Sequence, residues 1–425
     1  MKLSVLIACL LCIQTAYSQE SPRRITLAEA IRLAQRNSPV LGEAKSDYDA
    51  ARAGARIAKA GTLPQVSANG FATSGNNSTI MSSSPMVEPP AWMLVPTGSF
   101  LDGNLTLMAP LAAPRVWAMS SSATWRAKAA AGDLAETRAD LSLQVTEAYD
   151  RVLLARQMVL AEQAKVTAAQ ELVRTTQALL DSGKGIEASV QRTQAELSQA
   201  QRALTSAQND ESKAILDLEE AIGDLSITLD PSDALNLASP TSTLEDYLTR
   251  AKRTRGMLAS ARAKQEAASF DIRAAEGQRL PQLYGAVMSD ATNRQGMGGL
   301  TAGLTLSFPL FDSGRISAEV SQAKSMKTKA DAGVRQAELA VEKQVRQAWL
   351  DVQTAQANAV SAEAAVKAAQ AAYDVTALRV SAGKSILVEQ LDALEALIRA
   401  RTDLAQATFD QVLAVARLNR AAGGQ

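Results

Sequence analysis

Two carboxylates three positions apart, Glu389 and Asp392, follow the short stretch Gly383-Lys384-Ser385. On a helix, residues i and i+3 share a face, so the pair concentrates negative charge. Read alone, it is an ordinary solvated surface pair, as most helical carboxylates are. Gly383-Lys384-Ser385 has the form of the end of a phosphate-binding loop. The earlier glycine that such a loop requires is absent, because position 378 is Leu378, and no strand precedes it, so the stretch reads as a helix turn. Gly296-Met297-Gly298-Gly299 likewise reads as a tight strand connection, not a dinucleotide fingerprint. Met81, Met86, Trp92 and Met93 offer soft-metal chemistry or, more simply, an exposed loop. The chain has no histidine, and both of its cysteines, Cys9 and Cys12, lie near the N-terminus. General-base and thiol chemistry therefore lack their usual carriers. The expectation is no enzyme, with no catalytic, cofactor-binding or metal-binding residue.

The ends and the composition narrow the class. Lys2, the apolar run Leu3 to Ile13 and the small-x-small site Ala16-Tyr17-Ser18 form a signal peptide over residues 1–18. Leu6-Ile7-Ala8-Cys9 superficially resembles a lipoprotein box, but its apolar run would be too short. The mature chain is expected to begin near Gln19, without thiols and hence without disulfides. The 44 basic and 44 acidic side chains balance, so no nucleic-acid surface is indicated. No apolar run of 18 or more residues follows the signal, which argues against a transmembrane helix.

The elements that would carry this chemistry come next. Gly299 to Phe308 alternates: Leu300, Ala302, Leu304, Leu306 and Phe308 point one way, Thr301, Gly303, Thr305 and Ser307 the other. Pro309 ends the strand, and Asp312-Ser313-Gly314 makes a turn or helix cap before a long helix. Such a strand suits a sheet with oil on one side and water on the other, as in a membrane barrel. Leu101, Gly103, Leu105, Leu107 and Ala109 alternate in the same way before Pro110. Leu63-Pro64-Gln65 opens another strand, which alternates poorly because Phe71 falls on its polar side. Residues 74–98 read as a Ser/Asn/Pro-rich loop. A helix from about Val116 to Leu180 would be on the order of 100 Å long. It breaks at Gly183 and continues as a second helix from Glu187 to Ile222.

The pattern then restarts. Leu27, Ala34 and Leu63-Pro64-Gln65 recur 217 positions later as Leu244, Ala251 and Leu280-Pro281-Gln282. Arg115, Val145, Gly183-Lys184 and Gly223 recur 200 positions later as Arg315, Val345, Gly383-Lys384 and Gly423. Offsets held over such lengths indicate an internal duplication. The expected organisation is a first repeat over 19–223, with strands at about 64–74 and 99–110 and a helical hairpin turning near Gly183. A connector follows over 224–243. The second repeat covers 244–425, with strands at about 281–291 and 299–309 and a hairpin turning near Gly383.

Four strands cannot close a membrane barrel, and open edges cannot face lipid. Several chains must pool their strands, or the sheet is soluble. The repeat, the Leu-Pro-Gln strand openings, the stretch LTLSFPLFDSGR and the Gly-Lys hairpin turns resemble the TolC-type outer membrane efflux channel family over nearly the whole mature chain. The resemblance implies a mainly α fold with membrane β: a homotrimer with a 12-stranded β-barrel, four strands per chain, continued by a long α-helical coiled-coil barrel. It implies a passive exit channel of a tripartite efflux or type I secretion system of a Gram-negative bacterium, located in the outer membrane and extending into the periplasm. Implied partners are a periplasmic adaptor, an inner-membrane transporter and outer membrane lipids. The resemblance also places Glu389 and Asp392 at the channel entrance, as an acidic ring of six carboxylates, and Pro309, Asp312 and Gly314 at the strand–helix joint. Some relatives lock the entrance with Tyr or Arg on one hairpin and Asp on the other. The corresponding positions here are Val380, Ser385 and Ser189, so that lock is not carried over. The alternative is a soluble periplasmic coiled-coil adaptor or scaffold. It would sit in the soluble fraction, usually with one hairpin and a separate β domain.

Overall fold

The structure is a computed structural model, which describes residues 23–75, 79–82, 92–95, 98–183, 185–226, 229–233, 240, 242–292, 298–382 and 384–424. The signal peptide expected over 1–18, Lys184 and Gly383 lie outside the described residues, as do the side chains of the Met/Trp stretch at 81–93.

The chain runs β1 (Arg23–Ile25), α1 (Leu27–Asn37), α2 (Pro39–Ala60), β2 (Gln65–Gly75), β3 (Thr79–Ser82), β4 (Trp92–Val95), β5 (Gly98–Ala112), α3 (Pro114–Asp181) and α4 (Glu187–Ile222). It continues with β6 (Leu229–Pro231), α5 (Leu244–Thr254), α6 (Gly256–Gly277), β7 (Gln282–Thr292), β8 (Gly299–Ser307), α7 (Arg315–Ser381) and α8 (Leu387–Ala421). Lengths match between the halves: α1 and α5 have 11 residues each, α2 and α6 have 22, β2 and β7 have 11. The long helices have 68 and 67 residues, and their partners 36 and 35. Two features depart from the sequence reading. The 74–98 loop contains a short antiparallel ribbon, β3 with β4. The 224–243 connector contributes β6, which pairs in parallel with β1.

The chain divides into two compact units. The unit built from residues up to 44, 135–255 and 340 onward holds the helical hairpins and the β1–β6 ribbon. Arg156 fixes that ribbon: its guanidinium donates to the Pro231 carbonyl at 2.6 Å, to Asp230 at 2.6 Å and to Glu211 at 3.2 Å. Tyr149 is fully buried beneath it. Its hydroxyl lies 2.9 Å from the Ile25 carbonyl and 3.0 Å from an Asp233 carboxylate oxygen, and accepts the Asp233 N–H. The same Asp233 carboxylate accepts the Leu27 N–H at 2.8 Å, holding the start of α1. In the α3–α4 hairpin, Val166, Ala169 and Ala200 form a buried cluster, and the buried Thr176 and Thr193 hydroxyls meet at 3.0 Å. Arg255, with a side chain 1% exposed, ties four segments together. It donates to Glu136 at 2.6 Å, to Gln344 at 2.9 Å and to the Ala421 carbonyl at 2.9 Å. These bonds from its two terminal nitrogens offset the cost of burying the charge, while its buried Nε has no partner.

The second unit, residues 45–134 and 256–339, carries one antiparallel sheet in the order β2-β5-β7-β8. Directly opposed residues lie on the same face. The register sets Val66 and Ala68 against Leu107 and Leu105, Leu107 against Val287, Val287 against Ala302, and Leu283 against Leu306. One face is therefore apolar across all four strands. The other carries Ser67, Asn69, Asn104, Thr106, Tyr284, Thr301 and Thr305, with Asn69 donating to Asn104 at 3.0 Å. All of β8 is exposed on both faces. Strand β5 does not stop at Pro110. The proline cannot donate, Leu111 is left out of the pairing, and Ala112 resumes opposite Leu283: a bulge, not an end. The helices of this unit approach closely where glycine permits. A Cβ on Gly132 would lie 2.7 Å from the Ser260 nitrogen and 2.8 Å from the Gly256 oxygen. Asp271 receives Ser122 at 2.6 Å and Arg126 at 2.9 Å, and Ala275, Ile316 and Val320 close a small buried cluster.

Candidate functional site

The residues singled out by type and spacing fall in two places, one in each unit. In the helical unit, α3 ends in a left-handed turn. Gly183 adopts φ +73° and its N–H reaches the Leu180 carbonyl at 2.9 Å. Gly185 returns its N–H to Leu179 at 2.9 Å, and a Cβ there would stand 2.8 Å from the Leu180 nitrogen. Gly185 is thus as necessary to the turn as Gly183. Gly185 belongs to the stretch Asp181-Ser182-Gly183-Lys184-Gly185 that interrupts the helical pattern in the sequence; the close approach that requires it is visible only in the fold. Across the second hairpin, Ala382 and Lys384 donate to Leu378 and Arg379 at 3.0 and 2.8 Å.

Helix α8 then begins after Ile386, which offers no side-chain cap. Glu389 occupies its first turn, where a negative charge is favoured by the helix dipole. Its carboxylate also accepts the Ser385 hydroxyl. Glu389 and Asp392 are both exposed, while Leu391, Leu394, Leu397 and Ile398 form the buried face of the same helix. Glu395, another exposed carboxylate three residues further on, extends the acidic stripe by a turn. The repeat of three was there to be read. Ser385, one of the positions of the expected lock, is committed to Glu389. Ser189 donates its N–H to Ile186 at 3.0 Å at the start of α4.

In the sheet unit, β8 ends at Ser307 and the chain leaves through Phe308-Pro309-Leu310-Phe311, with Leu310 and Phe311 each 89% exposed. Asp312 then organises the entry to α7. One carboxylate oxygen accepts the Ile316 N–H at 2.7 Å, the other the Gly314 N–H at 3.1 Å. Those bonds, the one from Ile316 foremost, hold the Asp312 carboxyl below its usual range. The backbone turns through Ser313 at φ +54° and Gly314 at φ +85°. Only glycine enters that region without penalty. Behind the joint, Gln278 bridges Glu319 and Arg315, and Arg315 pairs with Glu319 one helical turn away.

This arrangement holds shape and charge, not reactive groups. Among the described residues no cluster of three or more potential metal ligands occurs, and no helix is long and apolar enough to cross a membrane.

Comparison with known proteins gives consistent results. The model of the outer membrane efflux protein family matches residues 30–224 and 248–424. The chain is 28% identical over 190 residues to the outer membrane efflux protein BepC of Brucella suis; the match covers 43% of this chain and 41% of that relative's length. Among solved structures, the outer membrane protein VceC of Vibrio cholerae superposes with a TM-score of 0.76 at 20% identity, over 94% of this chain and 96% of that one. The CmeC outer membrane channel of Campylobacter jejuni gives 0.78 at 16% identity, over 94% and 85%. At such identities the structural likeness speaks for the fold.

Proposed function

The chain belongs to the outer membrane efflux protein family, and from that premise we propose that it is the passive exit duct of a tripartite export assembly. Its place is the outer membrane, with helices extending into the periplasm. Family and fold are those of channels, and nothing in either supports an enzyme. The soluble adaptor reading has no observation in its favour.

One observation carries the proposal. The sheet of each chain has a continuous apolar face, a polar face, and two strands, β2 and β8, each with one edge unpaired among the described residues. In a bilayer an unpaired edge leaves backbone N–H and C=O groups without partners, which costs several kcal/mol per group. Identical copies remove the cost by pairing β8 of one with β2 of the next. Three copies give twelve strands, apolar face to lipid and polar face to a lumen. The acidic stripe from Glu389 would line the entrance in triplicate, an arrangement that favours cations. Energy for export would come from an inner-membrane transporter joined through a periplasmic adaptor. The organisation into two repeats, 19–223 and 244–425, is part of the same reading.

The test is disulfide trapping. With Ala68→Cys on β2 and Ala302→Cys on β8, oxidised outer-membrane fractions should yield covalent dimers and trimers. Each single variant should give monomer on boiled gels, and the unheated native protein should run as a trimer. A purified mature protein that is monomeric and soluble without detergent would refute the proposal.

A further inference from the structure

The joint between sheet and helices holds a cleft of about 430 Å³, lined by residues of the sheet unit alone. Gln282, Tyr284 and Ser307, from the polar face of the sheet, line it together with Arg115 and Arg315. These two arginines stand 200 positions apart, each in the first turn of a long helix, α3 or α7. They reach the same cleft because Gly277 lets the end of α6 touch the start of α3: a Cβ there would stand 2.9 Å from the Arg115 nitrogen.

The two arginines are not equally neutralised. Arg315 has Glu319 at i+4 and Gln278 beside it. The position one turn beyond Arg115 is Met119. Among the described residues the Arg115 guanidinium makes no hydrogen bond or ion pair, and it acts on Glu319 only through its charge. Glu319 is already engaged by Arg315 and Gln278. Its carboxyl is held below its usual range, chiefly by the Gln278 bond, with Arg315 and then Arg115 contributing charge and burial opposing them. Glu319 and Asp312, both ionised and both coupled to Arg315, offset that guanidinium, while the donors of Arg115 stay available.

We propose that Arg115 and Arg315 form an anion-binding collar at the junction of barrel and helices, where exported or permeating solutes bearing a phosphate or carboxylate group are held in transit. The assignment rests on the duct reading, because only a barrel with its polar face inward turns the cleft toward a lumen. Rotational symmetry would then set three clefts in one ring. A planar guanidinium with unspent donors suits oxyanions of this kind, binding them through two parallel hydrogen bonds. A charged ring beside low-dielectric walls focuses the field on the permeating ion.

The experiment uses the purified full-length protein in planar bilayers, under a potassium chloride gradient, with pyrophosphate as the probe. Arg115→Gln with Arg315→Gln should move the reversal potential toward potassium, raising the cation-to-anion permeability ratio roughly threefold or more. It should weaken pyrophosphate block roughly tenfold. Met119→Glu keeps both arginines and supplies Arg115 with the carboxylate that Arg315 already has. It should move both readings the same way, and it needs no buried side chain replaced, since Met119 is half exposed. A native pore whose reversal potential and pyrophosphate block are unchanged in either correctly assembled variant overturns the collar and leaves the duct standing. A native protein that forms no pore overturns both.

Discussion

Asp150 is the residue whose chemistry is most at odds with its surroundings. It sits in α3 next to Tyr149, is 5% exposed, and one of its carboxylate oxygens has no partner. Burial, with the negative charge of Asp233 adding to it, pushes its carboxyl up to about 6 from an ordinary 3.8. The folded protein thus holds this proton more tightly than the unfolded chain does. Its contribution is complete below the unfolded value and is lost as pH rises through about 6. A shift of roughly two units corresponds to about 3 kcal/mol as an order of magnitude. Asp150→Asn removes the ionisation and keeps the shape. The variant should therefore melt higher than the native protein at pH 8, with the gap closing by pH 4. Thermal unfolding of both proteins across that range checks it, and a gap that does not vary with pH would refute this account.

At the scale of elements, the same substitution should act with opposite sign at two helical glycines of one unit. Gly132 is buried against the backbone of α6, and its missing Cβ is what allows α3 that approach. Gly132→Ala should destabilise by about 1–3 kcal/mol, because backbone atoms cannot move aside as a flexible side chain would. Gly333, in α7, is exposed with nothing within 4 Å of the added carbon. Gly333→Ala should stabilise by up to about 1 kcal/mol through helix propensity alone. Melting of the two single variants separates the cases. The contrast also marks where sequence reading stops. Gly132 and Gly333 look alike as letters in a helical run, and only the neighbouring backbone tells them apart. The alternating strands, the proline after β8 and the glycine turn at Gly183 were legible because each is written in adjacent residues. The β1–β6 ribbon was not, since each strand has three residues and the partners lie some two hundred positions apart. Nor was the bulge at Leu111. Pro110 carried the same signal as Pro309, but a neighbouring strand, β7, was present to resume the pairing beyond it.

For the whole molecule, the proposed duct assigns entry to the acidic stripe and assembly to the strand edges. The double variant Glu389→Ala with Asp392→Ala should reduce block of single-channel current by a divalent cation. Glu395, left in place, should preserve part of it. Unchanged block would remove Glu389 and Asp392 from the entrance. These two positions were found by spacing and assigned by resemblance; their joint exposure along one helix face is what the fold adds.

The strand count has a consequence for closure. With four strands running alternately, β2 and β8 point in opposite directions. In the proposed assembly, copies related by rotation about an axis along the strands would therefore join by the same up-and-down alternation used within each chain, and no junction would differ from the rest. Three or five strands per copy would have placed a parallel seam between every pair of neighbours, weaker per residue than the antiparallel pairs beside it. In the proposed trimer, an even number of strands per copy would make the cylinder uniform all the way round, with no weakest line along which to open.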